Sequence, residues 1–389
     1  MEHFHIVQAL IRAALATGNP AVRRQVERLR DASREGADSK TAKSLDGMLA
    51  QAARASEIAP SRITQSKQAL SAGETLTSNT PVPVDKETAM PLADVVFPDI
   101  LQAEMPVFDA SLARAAQTMV REWQHAEVLA AAGVAPARTC LIYGPPGTGK
   151  TTLALWLTKQ LGLPAVVARL DGLISSFLGT TARNVGNLFA FANRYRCVLI
   201  LDEFDAVAKV RDDPHEVGEI KRVVNALLQN VDGRRTLGVT IAITNHESLL
   251  DPAIWRRFEI QLQVPRPALQ ARREIVHMHL TPHELGEPAE RFVAWLTEGM
   301  SGSEIETFVT GLKKRLVIGA DAHFVDALRD LVLVSAGRIS VAHREALFLE
   351  PPELAQRLVE ERELPFSQSD VSAILGKDKG TISRWVRAA

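Results

Sequence analysis

The chain has 389 residues, of which 46% are hydrophobic and 23% charged, and its net charge is −1. That length predicts about two or three domains, each able to bury a core. The near-zero charge excludes a global electrostatic pull toward nucleic acid or membrane. No uninterrupted apolar run approaches a membrane span, and the N-terminus MEHFHIVQALIRAALA lacks a signal-peptide layout. A soluble, cytoplasmic protein with no membrane partner is expected.

In chain order, Phe4, Val7, Leu10, Ile11 and Ala14 recur at helical spacing until Gly18–Asn19–Pro20 breaks the run. Val22, Val26 and Leu29 mark a second helix, and Ala42, Leu45, Met48, Leu49 and Ala52 a third. Residues 1–58 thus read as a helical N-terminal module without a catalytic constellation. Docking domain and packed extension are equally open. Residues 59–94 shift to Ser, Thr, Pro and Ala with little periodicity, which reads as a linker. Residues 95–267 alternate strand-like and helix-like segments, so the fold class is α/β, a parallel sheet with helices on both faces. The strand candidates are Thr139–Tyr143, Ala165–Ala168, Cys197–Leu201, Val239–Thr244 and Ile260–Val264. Cys140 and Cys197 lie inside these runs and read as buried packing residues, not as a disulfide or metal pair. Residues 268–320 are helical and suit a small lid; 321–366 read as a helical connector and 367–389 as a helix-turn-helix-like module.

The chemistry begins at Thr139–Thr151, TCLIYGPPGTGKT, where Gly144, Gly149, Lys150 and Thr151 fit the phosphate-loop pattern. Glycines let backbone N–H groups converge on phosphate oxygens. Lys150 supplies a mobile cation for the β and γ phosphates, and the Thr151 hydroxyl can ligate Mg²⁺. The helix that follows directs its positive dipole end at the same phosphates. The ATP-binding set is therefore Gly144, Pro145, Pro146, Gly147, Thr148, Gly149, Lys150, Thr151 and Thr152.

Further on, VLILDEFDA carries Asp202 and Glu203 to the end of an apolar strand. Phosphoryl transfer needs one carboxylate beside the metal and one to polarise water. Strand alternation would point adjacent acids to opposite faces, which assigns Asp202 with Thr151 to Mg²⁺ and Glu203 to general base. AITNH ends another strand on Asn245, in the crevice where such sheets bind ligands; Asn245 is placed to hold the water, whereas His246 has no assigned role. DPAIWRRFEIQLQVPRP offers Asp251 as N-cap and Pro252 at the first helical position, and then Arg256 and Arg257. Two adjacent arginines suit a neighbouring subunit's nucleotide.

With these pieces in order, the chain resembles the AAA family of ATPases within the AAA+ class. GPPGTGKT is similar to its Walker A, LILDEFDA to its Walker B, Asn245 to its sensor 1, Arg256 and Arg257 to its arginine fingers, and GMSGSEIETF (Gly299–Phe308) to its lid-helix motif. The resemblance implies a five-stranded parallel αβα P-loop ATPase domain, a helical lid, and a homo-oligomeric ring, usually a hexamer. Gly302–Ser303 stand where many AAA+ proteins place a sensor 2 arginine, so no lid arginine is assigned. Phe177, within Ser176–Gly179, matches the aromatic pore loop with which AAA translocases grip a protein substrate. Arg211–Gly233 resembles bacterial ATPases paired with subtilisin-like serine proteases, which implies such a protease as partner. Its charged run of Asp212, Asp213, Glu216, Glu219, Lys221 and Arg222 reads as a subunit-interface face.

The tail, LPFSQSDVSAILGKDKGTISRWVRAA, resembles a helix-turn-helix: Val371 and Leu375 face inward before Gly376, and Ile382 and Trp385 anchor a second helix. If it binds DNA, Thr381, Ser383 and Arg384, with Lys377, Lys379 and Arg387, would meet phosphates and base edges. The sequence thus leads to a ring-forming ATPase that remodels, unfolds or delivers a protein substrate. The competing expectation is a nucleotide-controlled DNA-binding regulator.

Overall fold

The computed structural model describes residues 11, 20–35, 41–49, 73–101, 103–169, 173, 178–208, 217–234, 238–283, 285–319, 323–335, 339–362 and 364–387. The chain divides into two compact units, Met1–Ala69 and Leu70–Ala389. The first holds α1 (Pro20–Glu35) and a second helix, α2, at 41–49. Val26, Leu45, Met48 and Leu49 pack with Ile11 in its small core. Asp46 of α2 ties the helices on the surface, 2.8 Å from Arg34 and 3.7 Å from Arg30 of α1.

The second unit is built on a sheet: β1 (Ala93–Val96), β2 (Thr139–Tyr143), β3 (Ala165–Ala168), β4 (Cys197–Leu201), β5 (Gly238–Thr244) and β6 (Ile260–Gln263). The order is β1-β3-β4-β5-β2-β6, with β1 antiparallel to β3 and every other pairing parallel. The expected five parallel strands are all present; the sixth, β1, is an added antiparallel edge. Its approach falls in the stretch read as a linker. Glu74 N donates to Arg194 O at 2.9 Å, and Leu76 and Leu92 are buried in the sheet's core. A strand of four residues, preceded by lone leucines among polar neighbours, leaves no periodicity to read.

Continuous apolar runs form β2, β4 and β5 because helices cover both of their faces. Along β4, Cys197, Leu199 and Leu201 enter one core and Val198 and Ile200 the other. The covering helices are α3 (Ala110–Gln124), which continues into a surface turn of helix, α4 (Ala126–Ala131), that buries no residue, then α5 (Lys150–Leu161), α6 (Leu178–Ala192), α7 (Asp205–Ala208) and α8 (Val217–Gly233), with a short α9 (Pro252–Trp255) leading into β6. Register aligns the carboxyl ends: Tyr143 stands beside Thr244, and Leu201 beside Ala242. Gly144, Asp202 and Asn245 therefore emerge along one edge.

Beyond the sheet come α10 (Leu269–Leu280), α11 (Glu287–Leu296), α12 (Gly302–Ile318), α13 (Phe324–Ser335), α14 (Val341–Leu347), α15 (Pro351–Val359), α16 (Gln368–Leu375) and α17 (Lys379–Arg387). Lid, connector and tail, expected as successive segments, share one apolar cluster from Ile275 to Ile382. Gly376, left-handed at φ +61°, caps α16 and turns the chain into α17. None of the described helices is long and apolar enough to cross a membrane.

Candidate active site

The loop after β2 is held by two close approaches. A Cβ on Gly144 would lie 2.2 Å from Val264 O, and one on Gly147 would lie 2.2 Å from Ser303 Oγ. Both glycines have positive φ, +144° and +73°. The sequence accounts for these glycines by phosphate access; the fold adds that β6 and the lid press on them from behind. Ser303 N donates to Gly147 O at 3.0 Å, which seats the first turn of α12 on the loop. Ser301 starts that helix with a capping box, its N and Oγ both donating to Glu304 Oε2 at 2.8 Å.

Lys150 begins α5 and is buried; its Nζ donates to Gly144 O at 2.8 Å and to Pro145 O at 2.6 Å. Burial lowers this ammonium from the ordinary lysine value, against the opposing pull of Asp202, Glu247 and Asp205. A cation satisfied by loop carbonyls alone can exchange them for phosphate oxygens at small cost. Thr151 Oγ1 donates to Asp202 Oδ2 at 2.8 Å. A hydroxyl and a carboxylate in contact beside the loop form the oxygen pair that a divalent cation takes, so the residues present fit Mg²⁺.

The acids correct one expectation. Asp202 and Glu203 lie just past β4, not on it, so strand alternation does not separate them. The turn does. Glu203 sits at φ +52°, and its N–H donates to Asp202 Oδ1 at 2.8 Å. A left-handed non-glycine residue costs on the order of 1–3 kcal/mol and tends to occur at functional sites. The next residue fixes it: Phe204 is buried against Phe258 at 5.9 Å, and its N–H donates to Ile243 O at 2.8 Å.

Asp205, which has no role in the sequence reading, joins the two strand ends. Its buried Oδ1 accepts from Thr244 Oγ1 at 3.0 Å and from Asn245 N at 3.3 Å. Asn245 thereby faces the same cleft as Lys150, Thr151, Asp202 and Glu203, a space of about 650 Å³. Its far wall comes from Met105, Pro106 and Val107 before α3, and from Ile275, Met278, His279 and Glu306 of the lid. Sequence reading missed these lining residues. Ile275, Met278 and His279 carried a signal, the i, i+3, i+4 spacing of one helix face; Glu306 carried none.

Asp251 caps α9 as expected, accepting from Ala253 N at 2.6 Å. The two arginines part company. Arg257 is half-buried, with Nε 3.1 Å from Asp232 Oδ2 and Nη1 2.7 Å from Ala253 O. Arg256 is exposed, and its side chain makes no hydrogen bond or ion pair with any described residue. Phe177 and residues 211–216 lie outside the described residues. In the tail, Arg384 Nη2 donates to Thr381 Oγ1 at 3.0 Å, and Thr381 Oγ1 donates to Asp378 Oδ2 at 2.6 Å; Ser383 is half-buried.

A parallel sheet with a glycine-rich loop between β2 and α5, paired acids after β4 and a helical lid seated on the loop defines a P-loop nucleoside triphosphatase. Residues 140–266 match the family model described as ATPase family associated with various cellular activities (AAA). The chain is 35% identical over 286 residues to an uncharacterized AAA family ATPase of Sinorhizobium fredii, covering 71% of this chain and 86% of that one. It belongs to the AAA family of ATPases, and its reaction is ATP hydrolysis. A proteasome-activating nucleotidase of Methanopyrus kandleri is 31% identical over 221 residues, 55% of this chain and 51% of the relative; about half of that protein's length is thus spanned. Among solved structures, the AAA domain of FIGL-1 superposes with a TM-score of 0.52 at 22% identity, over 65% of this chain and 89% of that one, and shares the fold.

Proposed function

We propose that this ATPase works as a ring, a hexamer whose mass in solution tests it, that couples ATP hydrolysis to remodelling, unfolding or delivering a protein substrate. The observation that carries this reading is the gathering of Lys150, Thr151, Asp202, Glu203 and Asn245 in one cleft, together with an exposed arginine, Arg256, that has no side-chain partner among the described residues. Lys150 exchanges its loop carbonyls for β and γ phosphate oxygens. Thr151 and Asp202 hold Mg²⁺, which neutralises phosphate charge when bound. Glu203 takes the proton of the attacking water, and Asn245, aimed by Asp205, orients that water. Arg256 reaches a neighbour's γ phosphate, while Arg257, bonded to Asp232, holds the short helix beneath it.

The protein-directed role is supported by likeness to proteasome-activating nucleotidases. Phe177 is the residue proposed to grip substrate, and a subtilisin-like protease is the partner proposed to receive it. The test is a Glu203→Gln variant, which should hold ATP and retain bound protein substrate for identification. Recovery of wild-type turnover in that variant would sink the assignment.

A second reading is favoured by one observation, the α16–Gly376–α17 geometry with Lys377, Lys379, Arg384 and Arg387 exposed around it. In it, nucleotide state controls DNA occupancy through Thr381, Ser383 and Arg384. Asp378 and the internal bonding of Arg384 weigh against base contacts in this conformation. An Arg384→Ala variant that loses DNA retention, with Phe177→Ala unaffected, would favour this reading over remodelling.

A further inference from the structure

The lid places one carboxylate in the nucleotide cleft that the hydrolytic chemistry does not use. Ser303 N is fixed on Gly147 O at 3.0 Å, so the start of α12 has a known position against the phosphate loop. Glu306 follows three residues later on the same helix face, displaced by about 4.5 Å along the axis. It is exposed, lines the cleft shared by Lys150 and Thr151, and has no hydrogen-bond or ion-pair partner among the described residues.

A carboxylate near a polyphosphate would repel it. A carboxylate in this cleft is therefore accommodated beside an uncharged, donor-bearing part of the nucleotide. Two such parts exist, the sugar and the base. The apolar Met105, Val107, Ile275 and Met278 in the cleft suit the base. One helical turn from the phosphate loop is the reach of the sugar, which is bonded to the α phosphate; the amino group of adenine lies farther out.

We infer that Glu306 reads the ribose of the bound nucleotide, its two carboxylate oxygens accepting from the 2′ and 3′ hydroxyls. This rests on the nucleotide reading of the cleft and adds a specificity residue to it. The chemistry is that of the acid that binds a ribose diol in dinucleotide-binding folds, and bonds to a charged acceptor are the stronger kind.

The test compares the full-length wild type with Glu306→Ala and the near-isosteric Glu306→Gln. Calorimetry would measure binding of ADP and 2′-deoxy-ADP, and steady-state kinetics the KM and kcat for ATP and 2′-deoxy-ATP. Wild type should prefer the ribonucleotide by about tenfold, the value of one charge-assisted hydrogen bond. Glu306→Ala should bring the preference to within about twofold by weakening ribonucleotide binding, with kcat little changed; Glu306→Gln, which keeps one carbonyl acceptor, should fall between. Equal weakening of ribo and deoxy forms would overturn the inference. So would an altered ATP-to-GTP preference with an unaltered ribo-to-deoxy ratio. A wild type that binds neither nucleotide overturns instead the reading of the cleft on which the inference stands.

Discussion

The sheet and the helical body behind it solve different problems. In the sheet, buried strands hold a rigid edge from which short loops deliver Lys150, Asp202, Glu203 and Asn245. In the body, α10 to α17 share a single apolar cluster, so the lid and the tail helices α16 and α17 are parts of one packed object. Phe292 of α11 stands at its centre, 5.5 Å from Trp295, 6.3 Å from Phe324 and 6.2 Å from Phe366. Arg291 adds a polar strap to the tail, 3.0 Å from Asp370 and 2.9 Å from Pro365 O, with its guanidinium over the Phe366 ring. The two regions meet where Ser303 seats on Gly147. Chemistry is local to one region, and any motion of the lid is carried by the whole of the other.

That contrast breaks most sharply through the sheet. Lys150→Ala should reduce ATP hydrolysis by about 10²-fold or more because the cation that meets the phosphates is lost, with only a modest shift of the melting curve as the Gly144 and Pro145 carbonyls lose their donor. In the helical body the reverse is expected: Phe292→Ala should cost about 3–5 kcal/mol of stability in denaturant unfolding and should loosen α16 and α17 together with α11 in hydrogen exchange. Exchange confined to α11 would contradict the single packed object. Gly147→Ala strikes the junction. Its positive φ and the 2.2 Å approach of Ser303 Oγ predict weaker ATP binding with an unseated lid, a shift visible as increased proteolysis between sheet and lid.

The smallest effect is one of pH. His343 is buried on Trp295 at 4.1 Å, and burial lowers its pKa from the ordinary value of 6.5, with Glu298 and Glu361 pulling the other way. The unfolded chain then takes up the proton more readily than the folded one. The stabilisation is present in full above about pH 6.5 and is lost as pH falls below it. Denaturant midpoints of the wild type should decline in that range, and those of His343→Phe should decline less.

Much of the sheet was legible because buried parallel strands are plain apolar runs, and the phosphate loop is a spaced pattern with one chemical meaning. Asp202, Glu203 and Asn245 could be found because each closes such a run. What was hidden is tertiary. The left-handed turn at Glu203 follows from Phe204 being anchored on Ile243 O, and the role of Asp205 from strands that meet only in the fold. Arg256 and Arg257 look alike in sequence; Asp232, at the C-terminal end of α8, separates them. The continuity of lid and tail rests on contacts between residues as distant as Arg291 and Asp370.

The claim most open to direct attack is that one ATP is cleaved by groups from two chains. Arg256→Ala and Glu203→Gln subunits should each be inactive alone, since one lacks the reaching arginine and the other the base. Co-assembled, they should regain measurable hydrolysis wherever an intact Glu203 cleft faces an intact Arg256. Full turnover by Arg256→Ala alone, or a mixed assembly as silent as its parts, would contradict the account.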